Sequence, residues 1–347
     1  MSIPPVDYAE WPMERRNAWW RDQNRGGASP AFKLPKPACR ADGRPVVATD
    51  RKTFTPAYTS GLVTLSAAAL LKREFPPREM MIAPFFPEKG IAMAFAERGI
   101  GKTHFAMGAA YAVASGGEFM RFKAPRARRV VYIDGEMPGL TLKERLASIV
   151  ANADREAPDD YLNFVAADLQ PDGLPDLANP DAHKFYDAAI KDADMIVVDN
   201  LSTICRGLRE NDADSWGPVQ EWCLRQRAAG KSVLLVHHAG KGGAQRGTSR
   251  KEDVLDTVIS LRRPVDYVAS QGARFEVHFT KSRGFYGADA EPFEAQLVGG
   301  QWTTSEIRPA DDDDAIMAFK SQGLSFRQIA DRTGLAKSTV ADRLKKG

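Results

Sequence analysis

The sequence predicts an α/β protein: one mainly parallel β-sheet, widened at one edge by antiparallel strands, with an irregular N-terminal arm and a small helical C-terminal tail. Three observations carry that prediction. Between residues 90 and 238, five apolar runs of strand length alternate with segments of helical periodicity. Runs apolar at nearly every position belong to strands covered on both faces, the environment of a parallel sheet. After residue 250, three further strand-like runs follow with no clear helix between them, as antiparallel neighbours do. Finally, 43% of the 347 residues are hydrophobic, so the chain can bury a sizeable core.

Residues 1–60 read as an arm. "EWPMERRNAWWRDQNR" can form a short helix that docks through Trp11, Trp19 and Trp20, and the Gly-, Pro- and charge-rich stretch after it is an extended linker. The core is expected over 61–308. It opens with "TLSAAALLKREF", a helix stopped by Pro76 and Pro77. Its strands are "GIAMAFA" (90–96), "RRVVYID" (128–134), "YLNFVAA" (161–167), "DMIVVDN" (194–200) and "SVLLVHH" (232–238). The segments between them, from "HFAMGAAYAVASGG" to "SWGPVQEWCLRQRAAG", have helical spacing. "DVLDTVISLRR", "RFEVHFTKSR" and "FEAQLVGGQWT" are expected as antiparallel strands at the edge. Four aspartates, Asp311 to Asp314, mark a boundary before the tail, 315–347.

Composition excludes several classes. A formal net charge of +3 gives no general affinity for anions, so any such affinity must come from local clusters. Cys39, Cys205 and Cys223 form no C-x-x-C pair, which argues against a disulfide scaffold or a structural zinc site. The opening residues lack an apolar signal core, and no run of about 18 apolar residues occurs. A cytoplasmic protein without a membrane partner is expected.

The chemistry concentrates in "AFAERGIGKTHF", Ala94 to Phe105. It follows a strand and opens a helix, as a phosphate-binding loop of pattern G-x-x-x-x-G-K-[ST] must. Gly99 and Gly101 let the loop wrap closely, so that backbone N–H groups face phosphate oxygens, and the helix N-terminus adds its dipole. Lys102 can reach the outer phosphates and the Thr103 hydroxyl can ligate Mg²⁺. The whole expected nucleotide-binding segment is Glu97, Arg98, Gly99, Ile100, Gly101, Lys102, Thr103 and His104. Ala96 stands where the pattern has its first glycine; it closes a strand, where Ala is acceptable unless φ must be positive.

Other strand ends supply partners. "MIVVDN" ends in Asp199, the carboxylate expected to support Mg²⁺, at the C-terminal end of a parallel strand where ligands collect. "VVYIDGEM" ends in Asp134 and Glu136; hydrolysis of ATP needs a group that orients or deprotonates water, and Glu136 is the candidate. "LLVHH" ends in His237 and His238, a polar pair that can sense a terminal phosphate and report to the loop after it.

With "ERGIGKT", "VVYIDGEM", "MIVVDNLSTI", "LLVHHAGKGG" and "QRGTS" in this order, residues 75–300 resemble the RecA-like P-loop ATPase core, and more narrowly the RepA-type hexameric replicative helicases of broad-host-range plasmids. The resemblance implies ATP and Mg²⁺ at Lys102, Thr103 and Asp199, water activation by Glu136, and coupling of nucleotide state to a DNA-facing loop by His238 with His237. It also implies a homo-oligomeric, hexameric ring whose sites are completed in trans. Lys281 and Arg283 in "HFTKSRGFYG" are the expected trans cations, with Arg246, Arg262 and Arg263 as alternatives.

By the same resemblance, the loops after two site strands line a channel for single-stranded DNA. They carry Arg206 and Arg209 in one, and Lys241, Arg246, Arg250 and Lys251 in the other. The tail "LSFRQIADRTGLAKSTVADRLKKG" resembles a helix-turn-helix, with Lys337, Ser338, Thr339 and Arg343 on a second helix able to meet duplex DNA. The expected function is an ATP-driven replicative helicase of a plasmid, phage or integrated element. An ATP-switched DNA-binding regulator and a filament-forming recombination ATPase are the alternatives.

Overall fold

The computed structural model describes residues 63–207, 214–239, 252–307, 316–317, 319–320 and 323–346. The chain divides into two units, 1–74 and 75–347. The described part of the first contains one helix, α1 (Ala67–Lys72), whose cap Ser66 accepts from the Ala69 N–H and none of whose residues is buried. The helix stops ahead of the proline pair, with Arg73 already extended.

The second unit begins with two short strands, β1 (Met80–Ile82) and β2 (Phe86–Pro87), then β3 (Ile91–Ala96) and α2 (Lys102–Ser115). A small hairpin, β4 (Glu118–Phe119) and β5 (Phe122–Lys123), precedes β6 (Val130–Asp134), α3 (Gly139–Asn152), β7 (Leu162–Ala166) and α4 (His183–Ala189). Next come β8 (Met195–Asp199), α5 (Leu201–Ile204), α6 (Gly217–Ala228) and β9 (Ser232–His238). The late strands are β10 (Thr257–Arg262), β11 (Arg274–Ser282), β12 (Phe293–Val298) and β13 (Gln301–Glu306), and the tail holds α7 (Phe326–Thr333) and α8 (Lys337–Lys346).

Nine of these strands form one sheet in the order β13-β12-β11-β10-β3-β9-β8-β6-β7. The five strands expected to be parallel are so, and β11, β12 and β13 extend the sheet in antiparallel pairs. One expectation is corrected: β10 lies parallel to β3, with Thr257 opposite Ala92 and Leu261 opposite Ala96, and is antiparallel only to β11. The chain leaves β9 at one end of the sheet and re-enters at the other. This is a crossover, and nothing like helical periodicity after residue 238 marks it in the sequence.

Alternation along each strand fills two cores. Ala92, Ala94, Val130, Tyr132, Met195, Val197, Leu234 and Val236 face α2. Met93, Phe95, Val131, Ile133, Ile196, Val198, Val233 and Leu235 share the other core with Tyr186 of α4 and Trp222 of α6. Both faces are therefore covered, which is why these strands are apolar throughout. Of the 14 residues of α2, 12 are buried, so this helix runs through the core rather than over it. Its small side chains, with Ala92, Ala94 and Ala96 beneath, allow a close approach to β3. In the tail, Ile316, Phe319, Ile329 and Val340 are buried in a small core of their own, and α7 carries a Ser325–Gln328 capping box and ends at Gly334 (φ 72°). The four aspartates, the arm and residues 240–251 lie outside the described residues. No helix among the described residues is long and apolar enough to cross a membrane, and Cys205 and Cys223 are buried thiols.

Candidate nucleotide-binding site

At the C-terminal ends of β3, β6, β8 and β9 the chain encloses a cavity of about 600 Å³, within the range of ligand sites. The loop between β3 and α2 forms its floor. Gly99 (φ 75°) and Gly101 (φ 119°) both adopt the left-handed region, where a side chain would strain the turn. Ala96 does not: it is an ordinary strand residue, buried and paired with His238. Its carbonyl accepts from the Ala239 N–H at 2.8 Å and from Lys102 Nζ at 3.1 Å. The missing first glycine thus costs the loop nothing.

Lys102 is 7% exposed, and its ammonium also donates to the Glu97 carbonyl at 2.7 Å. Burial pushes its pKa down to about 8, against the pull of Asp199 and Glu136. Asp199 is buried beside it, accepting from Tyr132 Oη at 2.6 Å and hydrogen-bonded to Thr103. Burial pushes the Asp199 carboxyl up to about 6 despite these bonds. A cation brought between Thr103 and Asp199 would find the oxygen donors that Mg²⁺ takes. Among the described residues no group of three or more His, Cys, Asp or Glu side chains makes a ready metal cage. That fits an ion held by one or two side chains and by substrate phosphates.

The turn after β6 presents Glu136. Asp134 fixes it by accepting from the Glu136 and Met137 N–H groups at 3.0 and 2.6 Å. Gly135 donates to the Asp199 carbonyl at 2.8 Å, and a Cβ on it would stand 2.4 Å from Thr203 Oγ1, so glycine lets the turn lie this close to α5. The Glu136 carboxylate accepts from Asn200 Nδ2 and lies 4.0 Å from His238 Nε2. Asn200 uses its other amide atom, Oδ1, to cap α5 through the Ser202 N–H at 3.0 Å. His238 lines the cavity, while His237 projects to the opposite sheet face by strand alternation.

Sequence reading missed Asn200, Arg145 and Tyr267, and gave Arg263 only as an alternative trans cation. Asn200 has a signal: an amide directly after the strand-end Asp, ahead of a short helix. Arg145 has one as well, because it breaks the apolar stripe of α3 between Leu142 and Ile149. Arg263 and Tyr267 come from the β10–β11 connection, where nothing local marks them. The Arg263 guanidinium lies over the Tyr267 ring, 4.6 Å from its centroid, and reaches the Gly99 carbonyl at 3.4 Å. Arg263 is therefore engaged at its own chain's loop, and Arg262 Nε bonds Ser260 Oγ at 3.3 Å. Arg274 braces the same connection by bonding Glu294, Asp266 and Gln271.

Lys281 and Arg283 lie elsewhere. Ser282 pairs with Thr257 at the start of β10, so both cations sit at the end of the sheet away from the loop, about 16 Å along the strands. Lys281 donates to the Glu252 carbonyl and Arg283 Nη2 to the Asp253 carbonyl at 3.1 Å. Arg206 Nη2 bonds the Leu174 carbonyl at 2.9 Å, tying its loop to the body. Arg209, Lys241, Arg246, Arg250 and Lys251 fall outside the described residues. In the tail, Lys337 and Ser338 are exposed, and Thr339 and Arg343 half-buried.

A glycine loop at a helix N-terminus, an invading lysine, a Thr–Asp pair and a strand-end glutamate define a P-loop ATPase on a RecA-like sheet. The family model described as "AAA domain" matches residues 56–244, and the chain belongs to that family. Among solved structures it is similar to the KaiC-like protein PH0186 from the hyperthermophilic archaeon Pyrococcus horikoshii OT3. The two are 16% identical, with a TM-score of 0.46 over 65% of this chain and 93% of that one.

Proposed function

We propose that the chain is an ATP-driven motor that assembles as a ring, hexameric by the RepA-type resemblance, on single-stranded DNA and serves as a replicative helicase of a plasmid, phage or integrated element. The observation that carries this reading is the approach of Glu136 to His238. The carboxylate placed to orient water stands 4.0 Å from the last residue of β9, and β9 leads at once into the basic, glycine-rich segment 240–251. A change at the terminal phosphate then bears on the strand that feeds the DNA-facing segment, which is the coupling a motor needs.

Ring assembly has its own support. Lys281 and Arg283 are too far from their own loop to meet its nucleotide, and suit a neighbouring copy's. Leu70 and Leu71 of α1, 50% and 87% exposed, leave apolar surface for a contact between copies. The tail, with seven Lys and Arg against two Asp over 315–347, suits phosphate contact and would tether the motor to duplex DNA. Arg206, spent on the Leu174 carbonyl, is the weakest of the DNA candidates.

The test is unwinding of a duplex carrying a single-stranded tail, with ATP, alongside images of the particles. Strand separation by closed rings is the expected outcome. Tight binding of one duplex sequence without unwinding would favour the regulator, and open-ended assemblies the recombination filament.

A further inference from the structure

Tyr132 sits in the middle of β6 and faces α2, fully buried, its ring tilted against Phe164 with the centroids 5.5 Å apart. The hydroxyl is the one polar atom of the side chain, and Tyr132 Oη donates to Asp199 Oδ2 at 2.6 Å. The register explains the reach. Tyr132 stands opposite Val197, and Asp199 is two residues further along β8 on the same face, so the two side chains meet diagonally across neighbouring strands. Both residues are buried, so water does not stand in for the phenol. Asp134 lies directly opposite Asp199, and two carboxylates side by side repel. Each has its own donors. Asp134 is spent on the Glu136 and Met137 N–H groups, while Asp199 takes the phenol from the core and Thr103 from the loop.

We propose that Tyr132 is a positioning residue for the metal: it fixes the Asp199 carboxylate in the orientation that meets a divalent cation beside Thr103, and touches neither cation nor nucleotide itself. This rests on the reading of the cavity as an ATP site, and adds a residue outside both the loop motif and the cavity wall. An ionised carboxylate offers about four lone-pair positions. The phenol occupies one of them on Oδ2 and stops the group from turning about its Cβ–Cγ bond. The remaining positions are left for Thr103 and for the cavity that Asp199 lines. A hydrogen bond to a charged oxygen is among the stronger ones, and its donor here is held by packing on both sides of the ring. Partners one bond behind a metal-binding side chain typically set metal affinity by a factor of about 10 to 100.

The experiment measures equilibrium binding of a non-hydrolysable ATP analogue to the full chain and to Tyr132→Phe, once with Mg²⁺ titrated and once with the metal chelated. Phe keeps the ring and its contact with Phe164, so the variant retains the fold. The expected result is a rise of roughly 10-fold or more in the Mg²⁺ concentration that half-saturates binding, with the metal-free affinity within about twofold of the parent's. In an Asp199→Asn background the same substitution should raise the Mg²⁺ requirement no further, because its effect passes through the carboxylate. A Mg²⁺ requirement equal to the parent's in folded Tyr132→Phe, or an equal loss of affinity with and without the metal, overturns the proposal and leaves the phenol a structural group. Lys102→Ala is the control for the cavity. If it binds the analogue as the parent does, the proposal falls together with the reading of the cavity as an ATP site.

Discussion

Replacing Asp199 with Asn should stabilise the nucleotide-free protein while removing its ATPase activity. The carboxyl is 3% exposed and titrates at about 6 in place of 3.8, burial being the largest cause. Below pH 3.8 it is protonated in folded and unfolded chains alike and nothing is lost. Between 3.8 and about 6 the folded protein keeps a proton that the unfolded chain has released, so stability falls as pH rises, and above about pH 7 the full cost is present. That cost is up to about 3 kcal/mol. Asn carries no charge, yet its Oδ1 can accept from Tyr132 Oη and its Nδ2 can face Thr103. The variant should therefore gain up to about 3 kcal/mol at pH 7.5, some 6–10 °C in melting temperature for a domain of this size. The gain should shrink towards zero as pH falls to 4. Denaturation of both proteins with Mg²⁺ chelated, from pH 4 to 8, measures it. Equal stabilities at pH 7.5, or a gap that widens on acidification, would refute the reasoning.

Lys102 should make nucleotide binding pH-sensitive: with the ammonium titrating at about 8, ATP affinity should be flat below pH 7 and fall as pH rises past 8, approaching tenfold per pH unit. A flat profile from pH 7 to 9.5 would contradict that. Glu136→Gln should lower kcat by about 10²- to 10⁴-fold with ATP binding intact, read from single-turnover hydrolysis and equilibrium binding in parallel. Subunits carrying Arg283→Ala, mixed with subunits carrying Lys102→Ala, should recover part of the hydrolysis that each lacks alone, because a mixed interface pairs an intact loop with an intact finger. No recovery at any mixing ratio would remove Arg283 from the trans role.

The parallel strands were legible because each is apolar at both alternating faces, and the helices between them keep a helical spacing. The β1–β2 and β4–β5 pairs were not, since two- or three-residue strands carry no periodicity. The direction of β10 was hidden for a different reason: direction depends on where the chain re-enters the sheet, and residues 239–256 show no helical pattern to reveal a crossover. Within the site, Lys102 and Thr103 announced themselves in the glycine loop and Glu136 and Asp199 at strand ends, and the fold brings them to one cavity. The pairing of Asn200 with Glu136 could not be read, because it joins the ends of two strands far apart in sequence. Arg263 was read as a possible trans finger; only the register of β10 against β3 shows that it belongs to its own loop. The same register puts Lys281 at the far end of the sheet, a placement invisible in "HFTKSRGFYG".

Steady-state ATP hydrolysis by the purified full chain, with and without single-stranded DNA, tests the account most directly. Hydrolysis that rises several-fold on adding single-stranded DNA and vanishes in Glu136→Gln is the predicted result. Hydrolysis that is absent, or that is indifferent to single-stranded DNA at every concentration, would contradict a motor in which Glu136 and His238 link the nucleotide to the segment after β9.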